Sequence, residues 1–350
     1  MPMFSKGIIL TQHKEPALSA PILRFVTPAT DKLGITNTRV AAGSEGEAIM
    51  EVCRLAKIAD ERDGRTLSGK LRAAAGKAVC VVADAVDDEP FVSSRLGPLL
   101  AYPQQAVSGL ALCARALGIP GATKIMAYKM ITDTQTKIPR KIENIKVQKV
   151  RGGYPKQGQL ESPGQLTVGV GALIHLARAA ESRKIQSTTF VTVAGNCVST
   201  PVNVEVSLGI TVGQLLDRCG LGSQPTRVVS GGSMRGFALI DPERTIINHT
   251  TRAVLAFRED ERHMRYNCIG CGECERVCPV GLNPMYIRKY QAGGLWAKLE
   301  PFDPHHCTGC GTCSYICPSK LEVADAVARG KEYMLGELAA LGEPMEEEDD

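Results

Sequence analysis

Cys268-Ile-Gly-Cys271-Gly-Glu-Cys274-Glu-Arg-Val-Cys278-Pro279 and Cys307-Thr-Gly-Cys310-Gly-Thr-Cys313-Ser-Tyr-Ile-Cys317-Pro318 are two copies of one pattern, C-x2-C-x2-C-x3-C-P. That spacing suits two cubane [4Fe–4S] clusters. Three thiolates two residues apart can wrap one face of the cube. Gly270, Gly272, Gly309 and Gly311 let the backbone come close and aim N–H groups at sulfur. The fourth cysteine of each run sits about a helical turn further on and faces away. In two-cluster ferredoxins it ligates the other cluster. The expected ligands are therefore Cys268, Cys271, Cys274 and Cys317 for cluster I, and Cys307, Cys310, Cys313 and Cys278 for cluster II. Pro279 and Pro318 lack an N–H and redirect the chain after the fourth ligand.

Zinc and disulfides are the competing uses of cysteine. Zinc knuckles pair C-x2-C units, often with histidine, and do not close on proline. His305 and His306 precede the second run, but an all-cysteine set leaves them no vacancy. A secreted disulfide scaffold is short and cysteine-dense throughout. Here eight of the 13 cysteines fall between positions 268 and 317.

The remaining sequence bounds the rest. A chain of 350 residues is long enough for two or three domains. Its 44% hydrophobic and 22% charged residues are ordinary for a soluble globular protein. A net charge of +4 is too small to argue for a nucleic-acid partner. No run of eighteen apolar residues predicts a membrane span, and Met-Pro-Met-Phe-Ser-Lys carries no signal-peptide apolar region. Clusters and free thiols imply a reducing compartment, so a cytoplasmic location is expected. Their sensitivity to oxygen suggests an anaerobic metabolism.

Along the chain, prolines 16, 21 and 28 break residues 1–40 into an extended arm or small β element. Residues 44–61 show a helical apolar stripe that includes Cys53. Lys77–Ala85 reads as a buried strand running into an acidic turn, Asp84-Ala-Val-Asp-Asp-Glu89-Pro90. A helix over 103–118 and a strand at Thr123–Tyr128 complete a βαβ unit, the mark of an α/β layer. Residues 124–151 hold eight Lys/Arg against two acidic residues. This is either a solvated face or a docking face for an acidic partner or a nucleotide phosphate. Gly152–Gly158 is a glycine-rich loop without a Walker pattern. Residues 166–181 read as another helix, with His175 among Leu and Ala. From Thr188 to Phe257 β-branched alternation takes over, with a short helix capped by Thr211 and a Gly231–Gly236 turn. That is the texture of a β-grasp-like module. Cys197 is expected on an exposed turn, and His249 at the surface. Residues 321–341 form an amphipathic helix, followed by an acidic tail expected to be disordered.

In this order, the parts resemble the C subunit of the Rnf electron-transport complex. The relatives of that family include cobalamin reductase, the electron-transfer protein associated with proline reductase, and the flavin-bearing NADH subunit of respiratory complex I. Ala83–Phe91 resembles the family's Asn-x-x-Glu-Cys-Glu-Pro-Tyr turn. Tyr154-Pro-Lys-Gln-Gly158 resembles its Tyr-Pro-x-Gly loop. Val191–Gly195 through Gly231–Gly236 resembles its soluble-ligand-binding β-grasp (SLBB) domain, and the cysteine runs resemble its dicluster domain.

The resemblance implies an α/β fold class with three parts: a Rossmann-like α/β domain over 41–186, an SLBB-like β-grasp domain over 187–257 and an α-helical bis-[4Fe–4S] ferredoxin-like domain over 258–341. A shortened arm (1–40) precedes them and the acidic tail (342–350) follows. Flavin-binding members carry a loop like Gly-x-Gly-Gly-Ala-x-Phe-Pro-Thr, whose glycines let the backbone approach FMN. The corresponding Asp63–Leu71 here is shorter and bears Arg65 and Leu67, so the flavin and NADH region is expected to be degraded. Its residual candidates are Gly64, Gly69, Lys70, Glu89 and Tyr154.

The resemblance implies an electron-transfer subunit with two [4Fe–4S] clusters. It would pass single electrons between redox partner proteins (ferredoxin, flavoprotein or reductase subunits) in a hetero-oligomeric complex. The alternatives are an FMN-dependent NADH-oxidising enzyme and a corrinoid reductase.

Overall fold

The structure is a computed structural model that describes residues 22–27, 44–128, 138–151, 154–156, 160–258 and 264–340. Most of the N-terminal arm, most of the Gly152–Gly158 loop and the acidic tail lie outside the described residues. The chain divides into two compact units, Met1–Arg258 and Glu259–Asp350.

The first unit contains two sheets. The chain starts with a short strand β1 (Leu23–Phe25) and helices α1 (Glu45–Leu55) and α2 (Leu67–Ala74). Strand β2 (Cys80–Val86), helices α3 (Leu96–Ala101) and α4 (Pro103–Ala116), and strand β3 (Thr123–Tyr128) follow. Then come β4 (Lys141–Ile142), β5 (Ile145–Lys149), β6 (Gln165–Gly169) and α5 (Val170–Ser182). The order β4-β5-β3-β2-β6 makes a sheet in which β5, β3, β2 and β6 are parallel. Parallel strands need both faces covered, and alternation along β2 supplies both. Val81, Ala83 and Ala85 face the main core with α1, α2, α4 and α5. Val82 and Val86 join Met126, Tyr128 and Leu160 on the other side. Helices α4 and α5 approach closely at Gly109, where a methyl group would run into the Leu173 carbonyl.

One reading of the sequence needs correction. Residues 166–169, expected as the start of a helix, form strand β6, whose register pairs Leu166 with Val81 and Val168 with Ala83. Leu-Thr-Val is apolar enough for either state; a vacant edge beside β2 decided it.

The second sheet carries β7 (Thr188–Ala194), β8 (Val202–Ser207), α6 (Val212–Cys219), β9 (Arg227–Ser230), β10 (Phe237–Ala238) and β11 (Ala253–Phe257) in the order β1-β8-β7-β11-β9-β10. Strands β7 and β11, first and last in the module, lie parallel, while β8 and β9 flank them antiparallel. Strand β1 of the arm pairs with β8 at this sheet's edge. Thr211 caps α6 through a capping box with Gln214.

His175 is buried on α5 against the ring of Phe190, centroids 5.8 Å apart, and no partner for its Nε2 stands among the described residues. Burial first, and then the Arg178 charge, hold its pKa down at about 3, from 6.5 for the ordinary side chain. The unfolded chain therefore binds more protons between those values. Stability present above pH 6.5 is lost as pH falls toward 3. Between pH 6.5 and 4.5 the loss should reach roughly 2–3 kcal/mol. His175→Gln is expected to flatten the fall of the urea midpoint, followed by far-UV circular dichroism, across that window. An unchanged slope would contradict the assignment to His175.

The second unit is small and helical, with α7 (Glu273–Arg276), α8 (Pro284–Ala292), α9 (Thr312–Ile316) and α10 (Val323–Ala340). Leu282, Ile287, Leu299, Leu321, Val323 and Val327 form its core. Trp296 stacks on Tyr333 at 5.2 Å, and Tyr286 on Phe302 at 5.7 Å. No helix among the described residues is long and apolar enough to cross a membrane.

Candidate metal centre

Each cysteine run folds as a tight loop leading into a short helix. In the first, Cys268 and Cys271 stand on the loop and Cys274 on α7. In the second, Cys307 and Cys310 stand on the loop and Cys313 on α9. Gly270, Gly272, Gly309 and Gly311 all adopt left-handed backbone, φ between +65° and +74°. At Gly270, Gly272 and Gly309 an added methyl would meet nothing within 4 Å. Glycine is required there by conformation rather than by space.

The tertiary fold brings the distant fourth cysteines in. Cys268, Cys271, Cys274 and Cys317 line one cavity, together with Ile269 and Arg288. Cys317 and Cys271 both act electrostatically on Cys274, while Cys310 and Cys278 both act on Cys307. Backbone donors reach sulfur from Leu282 N–H to Cys278 Sγ (3.3 Å) and from Gly309 N–H to Cys307 Sγ (3.4 Å).

Burial lifts the thiols of Cys274 and Cys307, and raises Cys313 to about 12. Loading iron therefore displaces thiol protons, and the cluster's positive irons stabilise the thiolates left behind. No three His, Cys, Asp or Glu among the described residues converge closely enough to hold a single ion. A cube spaces its thiolates more widely, since each binds a different iron corner. Left-handed glycines, N–H donors and cysteines gathered from both runs fit such clusters.

The candidates for a flavin region have other partners. The Lys70 amine bonds Asp60 Oδ2 and Asp63 Oδ2, both at 2.7 Å. Gly69 N–H donates to Thr66 Oγ1, the N-cap of α2. Gly64 closes a turn by donating to the Asp60 carbonyl, and Tyr154 lies under the Arg235 guanidinium. Glu89 is fully buried, and its Oε2 accepts the N–H groups of Met234 and Arg235, each at 3.0 Å. These residues do not fit a phosphate cradle: the amine is neutralised by two carboxylates and the glycine N–H is already bonded.

What stands there is a buried charge network built on the acidic turn. Asp84, Asp87, Asp88 and Glu89 are all buried. Asp84 Oδ2 accepts from Arg62 (2.9 Å) and Arg95 (2.8 Å). Asp87 Oδ2 accepts the N–H groups of Arg95 and Leu96 at the start of α3 and so satisfies that helix end. Asp88 Oδ2 accepts Lys156 N–H at 2.7 Å and pairs with Arg235. Arg252 bridges Asp87 and Glu89.

Three further placements are plain. Cys197, expected exposed, is buried in the β-grasp core behind Val191 and Val204. His249 is half-buried, and its Nδ1 has no partner among the described residues. Lys141, Lys146 and Lys149 of the basic segment are exposed, which suits a solvated face; residues 129–137 lie outside the described residues.

The model of the 4Fe-4S dicluster domain matches residues 267–321, and that of the SLBB domain matches residues 190–238. The C subunit of the Na(+)-translocating ferredoxin:NAD(+) oxidoreductase complex of Acetobacterium woodii is 24% identical over 64% of this chain and 55% of its own length. The C subunit of the ion-translocating oxidoreductase complex of Vibrio cholerae is 26% identical over 73% of this chain and 35% of its own. This chain is a relative of those C subunits. It spans about half their length or less. Its dicluster domain supports two [4Fe–4S] clusters as cofactors. Among solved structures, the NAD+-reducing [NiFe]-hydrogenase in its H2-reduced state aligns at a TM-score of 0.46 and 15% identity, over 89% of this chain and 66% of that one.

Proposed function

We propose that this relative of the Rnf-type C subunits is an electron-transfer protein. It passes single electrons through two [4Fe–4S] clusters between a redox donor and a partner oxidoreductase, within a hetero-oligomeric complex. Cluster I takes Cys268, Cys271, Cys274 and Cys317; cluster II takes Cys307, Cys310, Cys313 and Cys278. The observation that carries this reading is the gathering of Cys317 with the first run around one cavity, matched by the proximity of Cys278 to Cys307. Sharing ligands across the two runs keeps the clusters close, and closeness makes a short path for electrons. The clusters supply the one-electron chemistry when bound; the chain's residues hold them and donate N–H to sulfur.

The α/β domain (41–186) and the SLBB-like domain (187–257) serve in this reading as a docking scaffold for those partners. A cytoplasmic location follows from the need to keep eight thiols reduced. The likeness to ferredoxin:NAD(+) oxidoreductase subunits supports a ferredoxin or a reductase as an end of the path.

Anaerobic reconstitution with iron and sulfide tests the proposal against a flavin enzyme. The expected product binds two four-iron clusters per chain, is bleached by dithionite, and retains no FMN after incubation and desalting. Stoichiometric FMN bleached by NADH would sink it.

A further inference from the structure

Two cations stand beside the cysteines, one for each run. Arg288 projects from α8 into the cavity lined by Cys268, Cys271, Cys274 and Cys317. It is half-buried, and it has no hydrogen bond or ion pair among the described residues. It also lines the adjoining cleft with Gln291, Asp325 and Arg329, where Arg329 already pairs with Asp325 at 3.0 Å. Lys331 comes from α10, and its amine donates to the Cys307 carbonyl at 3.0 Å. Its charge acts on Cys307.

Neither cation is ion-paired to a carboxylate among the described residues, so each keeps its charge, screened by the water that reaches it and, at Arg288, by Glu273, Glu322 and Asp325 lining the same cavities. A four-iron cluster with four thiolates is an anion that gains one more negative charge on reduction. A nearby positive charge therefore stabilises the reduced form more than the oxidised form and raises the potential. Helices α8 and α10 pack on each other through Ile287 and Val327, so both cations stand on the scaffold that holds the clusters.

We propose that Arg288 sets the reduction potential of cluster I and Lys331 that of cluster II, each independently of the other. This rests on the cluster assignment above. No bond is made or broken: each cluster accepts one electron from its donor and passes it on, and the cations only bias where it rests.

The test is a potentiometric titration of the reconstituted full chain followed by electron paramagnetic resonance. Arg288→Gln is expected to lower one of the two midpoints. The reduced-to-oxidised ratio at fixed potential should fall about tenfold, which is about 59 mV for one electron. Lys331→Gln is expected to lower the other midpoint, and the double variant both. Arg288→Lys keeps the charge and should restore the wild-type value, which separates charge from packing. Unmoved midpoints in fully loaded variants would overturn the proposal, as would a shift of the same midpoint by both variants. Absence of any four-iron signal in the wild-type chain would overturn the cluster assignment itself, and this proposal with it.

Discussion

Cys278→Ala is expected to remove the intact cluster of the other run, not of its own. Cys278 lies in the first run by sequence, yet the residue it acts on is Cys307. Removing it leaves Cys307, Cys310 and Cys313 with three thiolates for four irons. That site should lose its cube or retain a three-iron remnant, and the chain should lose about half of its four-iron signal. Pairing variants shows which cluster has gone, because losses within one site are not additive and losses at separate sites are. Cys278→Ala with Cys310→Ala should lose no more than either alone. Cys278→Ala with Cys271→Ala should lose both clusters. If the second pair behaved as one site, each run would hold its own cluster and the exchange of ligands would be wrong.

Glu89→Ala should strongly destabilise the first unit. Glu89 accepts two backbone N–H groups from the Gly231–Gly236 turn and faces Arg252 and Arg235. Alanine leaves those donors without acceptors and strips charge from two largely buried guanidiniums. Breaking one side of a buried pair typically costs about 3–5 kcal/mol, and each orphaned donor adds about 1–3 kcal/mol where water does not reach it. The urea midpoint of the first unit should fall by most of its value, or the variant should fail to fold. Glu89→Gln keeps an acceptor and the shape and loses only the charge, so its loss should be clearly smaller. The turn itself is built around this carboxylate. A methyl group on Gly232 would collide with Glu89 Oε2, and Gly231 has φ +101°. Equal and small losses for both variants would mean that the buried charges make no net contribution, an outcome allowed by the desolvation they already suffer.

Those two sites were legible in the sequence to different degrees. The cysteine runs could be read because cluster chemistry demands fixed spacing within a few residues, and spacing survives in one dimension. The βαβ unit at 77–128 and the β-branched module at 188–257 could be read because period and length announce them. The acidic turn was visible as composition, but its burial was not. Its partners Arg62, Arg95, Lys156, Arg235 and Arg252 are spread across almost two hundred positions, with no periodicity to tie them to Asp84–Glu89. A run of acids read alone carries no mark of whether it is buried. Cys197 was misread for a similar reason. A turn of Gly195, Asn196 and Ser199 reads as surface, but β8 and α6 close over its thiol.

The sequence by itself determined that two cysteine runs are built for four-iron clusters, and which residue types serve. Local geometry sufficed for that: glycine at left-handed positions, cysteine at steps of two and three, proline as a stop. Only the tertiary structure decided which fourth cysteine stands beside which run, and that Arg288 and Lys331 stand beside them. It also decided that the region resembling a flavin loop is closed by ion pairs. Each of these depends on side chains far apart in the chain meeting in space, and a packed core, not spacing, sets those meetings.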